Sequence, residues 1–147
     1  MEFRFMQIQH IMSTRVVTVE LDDRLEVIKK IFDASKFHHV LVVEESRLFG
    51  VVSDRDLFKA LSPYIDSTTE TARDVATLNK RVHQVMSRKP ITLRPEAPIS
   101  EAIELFLDHQ ISCLPVVDKD FKPVGILSWR DILKWIKATQ MPPATSA

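Results

Sequence analysis

The sequence predicts a mixed α/β (α+β) fold made of two copies of one strand, helix, strand, strand, helix unit. Three observations support this prediction: an internal repeat, hydrophobic patterns that alternate between strand and helix spacing, and a globular composition. Of the 147 residues, 45% are hydrophobic and 27% are charged, which is typical of a soluble protein. A chain of this length usually makes one compact domain or two very small ones, so we expect one unit built from two halves.

The internal repeat aligns the two halves of the chain with almost no gaps. Met12-Ser13 aligns with Met86-Ser87, 74 residues further along, and the same register aligns Val42-Val43 with Val116-Val117. After the next turn the offset becomes 75. Five identities follow there: Gly50, Ser53, Arg55, Asp56 and Lys59 match Gly125, Ser128, Arg130, Asp131 and Lys134. The chain is therefore predicted to contain one fold twice.

The first copy shows the order of elements clearly. A β-branched run at 16–19 predicts a strand, and Asp22 or Asp23 is a candidate N-cap for the following helix. Apolar runs at 39–43 and 49–52 predict two neighbouring strands around a charged turn. The closing helix carries apolar residues at helical spacing: Leu57, Phe58 and Leu61.

The second copy repeats this pattern. Its first helix is predicted to begin near Pro98, which suits a first helical turn. Strands are predicted at 113–117 and 124–127, and the closing helix carries Ile132, Leu133, Trp135 and Ile136.

These elements set the predicted domain boundaries. Residues 1–65 form the first domain with an N-terminal helix, and 81–138 form the second domain. Residues 66–80 are a polar connector without a rigid element, and 139–147 are a flexible tail. A helical stretch from Val75 to about Met86 is expected to lead into the second copy, as Met6 to Met12 leads into the first.

Composition excludes several classes of function. With 20 basic and 20 acidic side chains the net charge is zero, so the chain has no overall field that attracts nucleic acid. Two glycines are too few for a glycine-rich phosphate loop, and one cysteine cannot form an intramolecular disulfide. The first residues lack the apolar run of a secretory signal, and no run is long enough to span a membrane. We therefore expect a cytoplasmic protein without membrane contact.

The order of motifs resembles the cystathionine-β-synthase (CBS) domain. The resemblance covers about residues 7 to 138 and rests on three motifs in each copy. These are a leading Ile11-Met12-Ser13 or Val85-Met86-Ser87, a central Leu114-Pro115-Val116-Val117-Asp118, and a closing Gly50-Val51-Val52-Ser53-Asp54-Arg55-Asp56 or Gly125-Ile126-Leu127-Ser128-Trp129-Arg130-Asp131. In the first copy, Leu41 replaces the central proline.

The resemblance implies a Bateman module, in which two copies pack through their sheets with pseudo-two-fold symmetry and leave two related clefts. Such clefts hold AMP, ADP, ATP or S-adenosylmethionine as regulatory ligands rather than cofactors, and the modules commonly form homodimers. It implies no catalytic residues and no metal. The regulated protein is unknown.

The candidate nucleotide-binding residues follow from this resemblance and from the chemistry of the ligand. Short apolar strands supply walls and backbone partners for adenine, a carboxylate accepts hydrogen bonds from a ribose diol, and a helix N-terminus with a serine favours phosphate. Arginines there could neutralise phosphate charge. The candidates are Thr18, Val19, His38, His39, Ser53, Arg55, Asp56, Thr92, Leu93, Ser112, Cys113, Ser128, Arg130 and Asp131.

Alternatives to ligand binding remain open at this stage. Ser-x-x-Asp at a helix start is also the pattern of a capping box, in which the two side chains satisfy free N–H groups of the first turn. His38 and His39 point to opposite faces of a strand, so they cannot both bind one metal ion, and Cys113 is expected to be buried and inert. Trp129 stands where the first copy has Asp54, so the two clefts need not bind equally. The sequence predicts a non-catalytic adenine-nucleotide sensor, with a ligand-free scaffold as the alternative.

Overall fold

The computed structural model describes residues 3–143 of the chain, with the side chain of residue 3 excepted. The chain divides into two compact units. We call Val17–Pro90 the first-repeat unit, and the segment up to Val16 together with the segment from Ile91 onward the second-repeat unit. Of the predicted tail, residues 144–147 lie outside the described residues. Within the described part, no helix has the length and apolar character needed to cross a membrane.

The first-repeat unit is a four-stranded sheet with helices. Strands β1 (Thr18–Glu20), β2 (His39–Glu44), β3 (Arg47–Ser53) and β4 (Ser87–Arg88) lie in that order, with β1 parallel to β2 and the other pairs antiparallel. Its helices are α1 (Leu25–Ala34), α2 (Asp54–Ala60) and α3 (Ala72–Ala76). The predicted strand, helix, strand, strand, helix order is confirmed.

The second-repeat unit has the same plan with a smaller regular sheet. Helix α4 (Ile99–Asp108) is followed by the antiparallel strands β5 (Cys113–Val117) and β6 (Pro123–Ser128), and then by helix α5 (Trp129–Thr139). Single bridges replace the outer strands: Leu93 pairs in parallel with Val116, and Ser13 pairs antiparallel with Ile126. The predicted strand near residue 92 is thus reduced to one bridge.

The two leading segments pack with the opposite repeats, so each compact unit contains the leading segment of the other copy. Ile8 is fully buried in the core of the second-repeat unit, and its N–H donates to the carbonyl of Ala97 at 2.9 Å. Val82 is fully buried in the first-repeat unit, where its N–H donates to the carbonyl of Asp23 at 2.8 Å. Because these segments are copies of each other, the alignment could not show which repeat each one completes.

The two glycines of the repeat are explained by these exchanged segments. A Cβ at Gly50 would lie 2.7 Å from Met86 Sδ and 2.8 Å from the carbonyl oxygen of Ser87. A Cβ at Gly125 would lie 2.5 Å from Met12 Sδ. Both glycines have ordinary negative φ angles, so each is required by close approach rather than by backbone conformation. The Met-Ser motif and the glycine occur in both copies because the methionine of one copy packs against the glycine of the other.

Several local details differ from the sequence predictions. Arg24 occupies the N-cap of α1 without a side-chain cap, whereas Asp23 accepts a 2.7 Å hydrogen bond from the backbone of Glu20. The first leading segment forms a single 3-10 turn, Ile8–His10, instead of a helix. The predicted helical stretch from Val75 to about Met86 is divided into the end of α3 and two 3-10 turns, Thr77–Asn79 and Val82–Gln84. The connector is more ordered than expected, because α3 starts with a capping box of Thr71 and Asp74.

Candidate functional site

Both closing helices begin with a complete capping box. In α2, Ser53 Oγ accepts from the N–H of Asp56 at 3.1 Å, and Asp56 Oδ2 accepts from the N–H of Ser53 at 3.0 Å. In α5, the matching distances between Ser128 and Asp131 are 3.2 Å and 2.9 Å. The capping alternative raised by the sequence is therefore confirmed as a structural fact. These bonds fix the position of each half-buried aspartate in the first turn of its helix.

Capping leaves one oxygen of each aspartate uncommitted. Within the described residues, no donor reaches Oδ1 of Asp56 or of Asp131, since all their capping bonds use Oδ2. The third capping box differs, because Asp74 accepts from Thr71 N through Oδ2 at 2.9 Å and from Ser62 Oγ through Oδ1 at 2.7 Å. The hydrogen bond from Ser62, followed by the one from the Thr71 backbone, lowers the pKa of Asp74 below its usual value. The repeated aspartates thus combine a structural role with a free acceptor.

The serine hydroxyls are not equivalent donors. Ser128 Oγ donates to Asp131 Oδ2 at 3.1 Å, so its proton is already used inside the capping box. In the described part of the chain, no acceptor is found for the hydroxyl proton of Ser53. Contact of either serine with phosphate stays a prediction, and the hydroxyl proton of Ser53 is the uncommitted one.

The register of the first-repeat sheet brings three predicted residues to one face. His39 is opposite Ser53 in the β2–β3 pair, and Thr18 is opposite Leu41 in the β1–β2 pair. Because successive side chains alternate along a strand, Thr18, His39 and Ser53 share the face that points away from the core cluster. Val19 lies on the other face and is only 4% exposed within that cluster. The side chain of Val19 therefore packs in the core, and the contact of Val19 with a ligand stays a prediction.

The second-repeat unit repeats this arrangement. Cys113 is opposite Ser128, and Thr92 lies on the same face because its neighbour Leu93 points into the core. Leu93 is 3% exposed, and its contact with a ligand likewise stays a prediction. Cys113 is buried, as expected.

The start of α2 carries a hydrogen bond between two side chains that the sequence analysis missed. His38 Nδ1 lies 3.0 Å from Asp54 Oδ2, and the carbonyl of His38 accepts from the N–H of Asp54 at 2.9 Å. The sequence contained a signal for this contact, because His38 directly precedes β2 and Asp54 directly follows β3. These two strands are paired, so their outer ends lie side by side. Burial lowers the pKa of the neighbouring His39, against a smaller opposing attraction from Asp54 and Asp56. The four side chains therefore form one cluster.

The remaining predicted residues are exposed near these helix starts. Arg55 and Arg130 lie on the first turns of α2 and α5, and Ser112 precedes β5. Trp129, at the position of Asp54, is 53% exposed. Among residues 3–143 no group of three or more metal-ligating side chains comes together.

The chain belongs to the CBS domain family. The sequence profile of the CBS domain matches residues 8–63 and 82–138, which coincide closely with the two copies of the internal repeat. The chain is 31% identical over 128 residues to a CBS domain-containing protein of Dictyostelium discoideum, spanning 86% of this chain and 88% of that protein. It spans only 43% and 20% of the next two curated relatives.

Solved structures confirm the fold. The cytosolic domain of the Mg²⁺ channel MgtE in complex with ATP superposes with a TM-score of 0.70 at 26% identity, covering 88% of this chain and 48% of that one. CBSX2 in complex with AMP superposes with a TM-score of 0.76 at 23% identity, covering 92% of this chain and 98% of that one. A tandem CBS pair is therefore the architecture of this chain.

Proposed function

We propose that this chain is a non-catalytic regulatory module that binds an adenine nucleotide through its two closing motifs. The observation that carries the proposal is the uncommitted Oδ1 of Asp56 and of Asp131. A ribose offers two neighbouring hydroxyl donors, and hydrogen bonds to an ionised carboxylate are stronger than neutral ones. The capping boxes hold both carboxylates ready, so little entropy is lost when a ligand binds.

The other half of the proposed site is the sheet face beside each aspartate. Thr18, His39 and Ser53 lie on it in the first-repeat unit, and Thr92, Cys113 and Ser128 in the second. Strand edges of this kind supply an apolar surface together with backbone donors and acceptors for an adenine ring. The MgtE domain, at 26% identity, was solved with ATP, which supports a nucleotide ligand.

The regulatory step requires a partner whose state depends on the ligand. A ligand that binds one arrangement of the two repeats better than another shifts their populations and so alters an attached or associated protein. The proposal includes a cytoplasmic location and a homodimer. The homodimer is supported by α2 and α5, which expose Phe58 (71%) and Leu133 (53%) at matching repeat positions.

Thermal unfolding with AMP, ADP, ATP, S-adenosylmethionine and NAD tests the proposal. A ligand at 100 times its dissociation constant adds about 2.7 kcal/mol to the free energy of unfolding when it binds only the folded state. Calorimetry should then show that Asp56→Asn or Asp131→Asn weakens binding about tenfold or more, because each removes the charge of the acceptor. Asparagine keeps a carbonyl oxygen for the serine N–H, so the cap survives.

Asp74→Asn is the matched control, because this capping box lies in the connector and both of its carboxylate oxygens are occupied. It should leave ligand affinity unchanged. Absence of a shift with every compound at millimolar concentration would overturn the proposal and favour the scaffold alternative, for which the completeness of both capping boxes is the supporting observation.

A further inference from the structure

We propose that Asp54 makes the first-repeat site discriminate against phosphate-rich adenine ligands, whereas the second-repeat site, with Trp129 at the matching position, accepts them. This inference rests on the proposed function, because it concerns which adenine compounds each site takes. It follows from a difference between two motifs that otherwise have the same geometry.

Asp54 is held firmly beside the proposed ligand-binding aspartate. Its N–H donates to the carbonyl of His38 at 2.9 Å, and its Oδ2 lies 3.0 Å from His38 Nδ1. An ionised carboxylate can only accept, so the imidazole nitrogen must be the donor in this pair. The side chain of Asp54 is 38% exposed, which leaves the carboxylate open to an approaching ligand.

Asp54 and Asp56 act together on their surroundings. Both carboxylates attract the half-buried imidazole of His39 strongly enough to oppose the fall in its pKa that burial causes. The two negative charges therefore lie in one neighbourhood, close to the sheet face that carries Ser53. The hydrogen bond from His38 Nδ1 fixes the direction of the Asp54 carboxylate.

The second closing motif lacks this extra charge. The second motif contains one aspartate, Asp131, and one arginine, Arg130, whereas the first motif contains two aspartates and one arginine, Arg55. Trp129 contributes a large exposed ring instead of a carboxylate. The first motif is thus one negative charge more acidic than the second.

Charge of this kind discriminates between ligands that share the same base and sugar. Each phosphate adds negative charge near Asp54, and like charges in partly exposed positions repel by an amount that depends on distance and salt. Adenosine carries no phosphate and does not experience this repulsion. Specificity arises here from an unfavourable contact with the wrong ligand.

Calorimetric titration with adenosine, AMP and ATP tests the inference one site at a time. Asp131→Asn weakens the second-repeat site and leaves the first, whereas Asp56→Asn leaves the second. In the Asp131→Asn background, adding Asp54→Asn should raise the ratio of ATP to adenosine affinity about three- to tenfold. In the Asp56→Asn background, the reciprocal change Trp129→Asp should lower that ratio by a similar factor.

Salt provides a second measurement. The effect of Asp54→Asn should shrink when the salt concentration is raised, because exposed charges are screened. An unchanged affinity ratio in Asp54→Asn, or a change that is insensitive to salt, would overturn the inference while the unmodified protein still binds adenine ligands. If Asp131→Asn alone binds no ATP, recovery of binding on adding Asp54→Asn supports the inference, and continued absence overturns it. Failure of the unmodified protein to bind any of the three compounds would instead remove the proposed function, and the inference with it.

Discussion

At the scale of single residues, the two glycines have different tolerance for a side chain. At Gly125 the added Cβ would meet the flexible side chain of Met12, which can move. At Gly50 it would meet both Met86 and the backbone oxygen of Ser87 at 2.8 Å, and β4 cannot move without losing its pairing with β3. Close approach therefore constrains Gly50 more strongly.

We expect Gly50→Ala to lower the free energy of unfolding by about 1–3 kcal/mol, the usual range for overpacking. Gly125→Ala should have a smaller effect, because only the Met12 side chain must adjust. Urea unfolding of both variants measures the difference. Equal losses, or a larger loss for Gly125→Ala, would contradict the assigned role of the Ser87 carbonyl.

His39 makes stability depend on pH. Burial lowers the pKa of His39 below the usual value of 6.5, so the unfolded chain takes up a proton at a higher pH than the folded chain. In the window between the two pKa values the unfolded state binds more protons, and stability therefore falls as the pH is lowered through the region just below 6.5. Above that window the imidazole is neutral in both states and has no effect on the slope.

Chemical unfolding between pH 8 and pH 5 should show a steeper acid loss in the unmodified protein than in His39→Gln. His109→Gln, at the exposed end of α4, controls for removal of an imidazole elsewhere. If His39→Gln and the unmodified protein lose stability in parallel, the buried imidazole is not the source of the pH dependence.

At the scale of elements, the capping boxes determine where the closing helices begin. Ser53→Ala and Ser128→Ala each remove the acceptor for an N–H of the first turn, so each should cost about 1 kcal/mol. Thr71→Ala removes the same contact from the five-residue helix α3, which contributes no buried residue, and should cost less. Urea unfolding of the three variants tests this order, and a Thr71→Ala loss equal to the others would contradict it.

The sequence predicted the elements well where periodicity and repetition agreed. Strand β5 has the predicted bounds, and β2, β3 and β6 extend beyond them by at most two residues. The helix starts at Ser53 and Ser128 were predictable because the capping motif is local. The N-cap of α1 was not, because Asp23 instead stabilises the turn after β1, and local propensity cannot choose between two nearby uses of one side chain.

The candidate site was predictable in the same partial way. The duplicated aspartates were visible as a motif. That their Oδ1 atoms are free, whereas Oδ1 of Asp74 is occupied, was not visible, because the difference depends on the hydrogen bond from Ser62 to Asp74. The burial of Val19 and Leu93 in the two cores could not be predicted, because assigning a face requires the strand register, and a shift by one residue reverses it. The hydrogen bond between His38 and Asp54 likewise required the register of β2 and β3.

At the scale of the whole molecule, the chain exchanges its leading segments between repeats. Ile8 and Val82 occupy equivalent positions of the repeat, and each is fully buried in the unit formed mainly by the other copy. Contacts between distant parts of the sequence thus complete each core. Each copy of the sequence repeat, 8–63 or 82–138, begins with a leading segment that packs in the other unit. A single copy taken alone would therefore lack the segment that completes its core.

A reciprocal pair of substitutions tests this exchange. Ile8→Ala should loosen the second-repeat unit and Val82→Ala the first, each losing about 2–4 kcal/mol of local stability because the site is fully buried. Hydrogen exchange resolves the two effects: Ile8→Ala should reduce amide protection in β5 and β6, and Val82→Ala in β2 and β3. The opposite pattern would assign each segment to its own copy, whereas loss of protection throughout in both variants would mean that the repeats unfold as one unit.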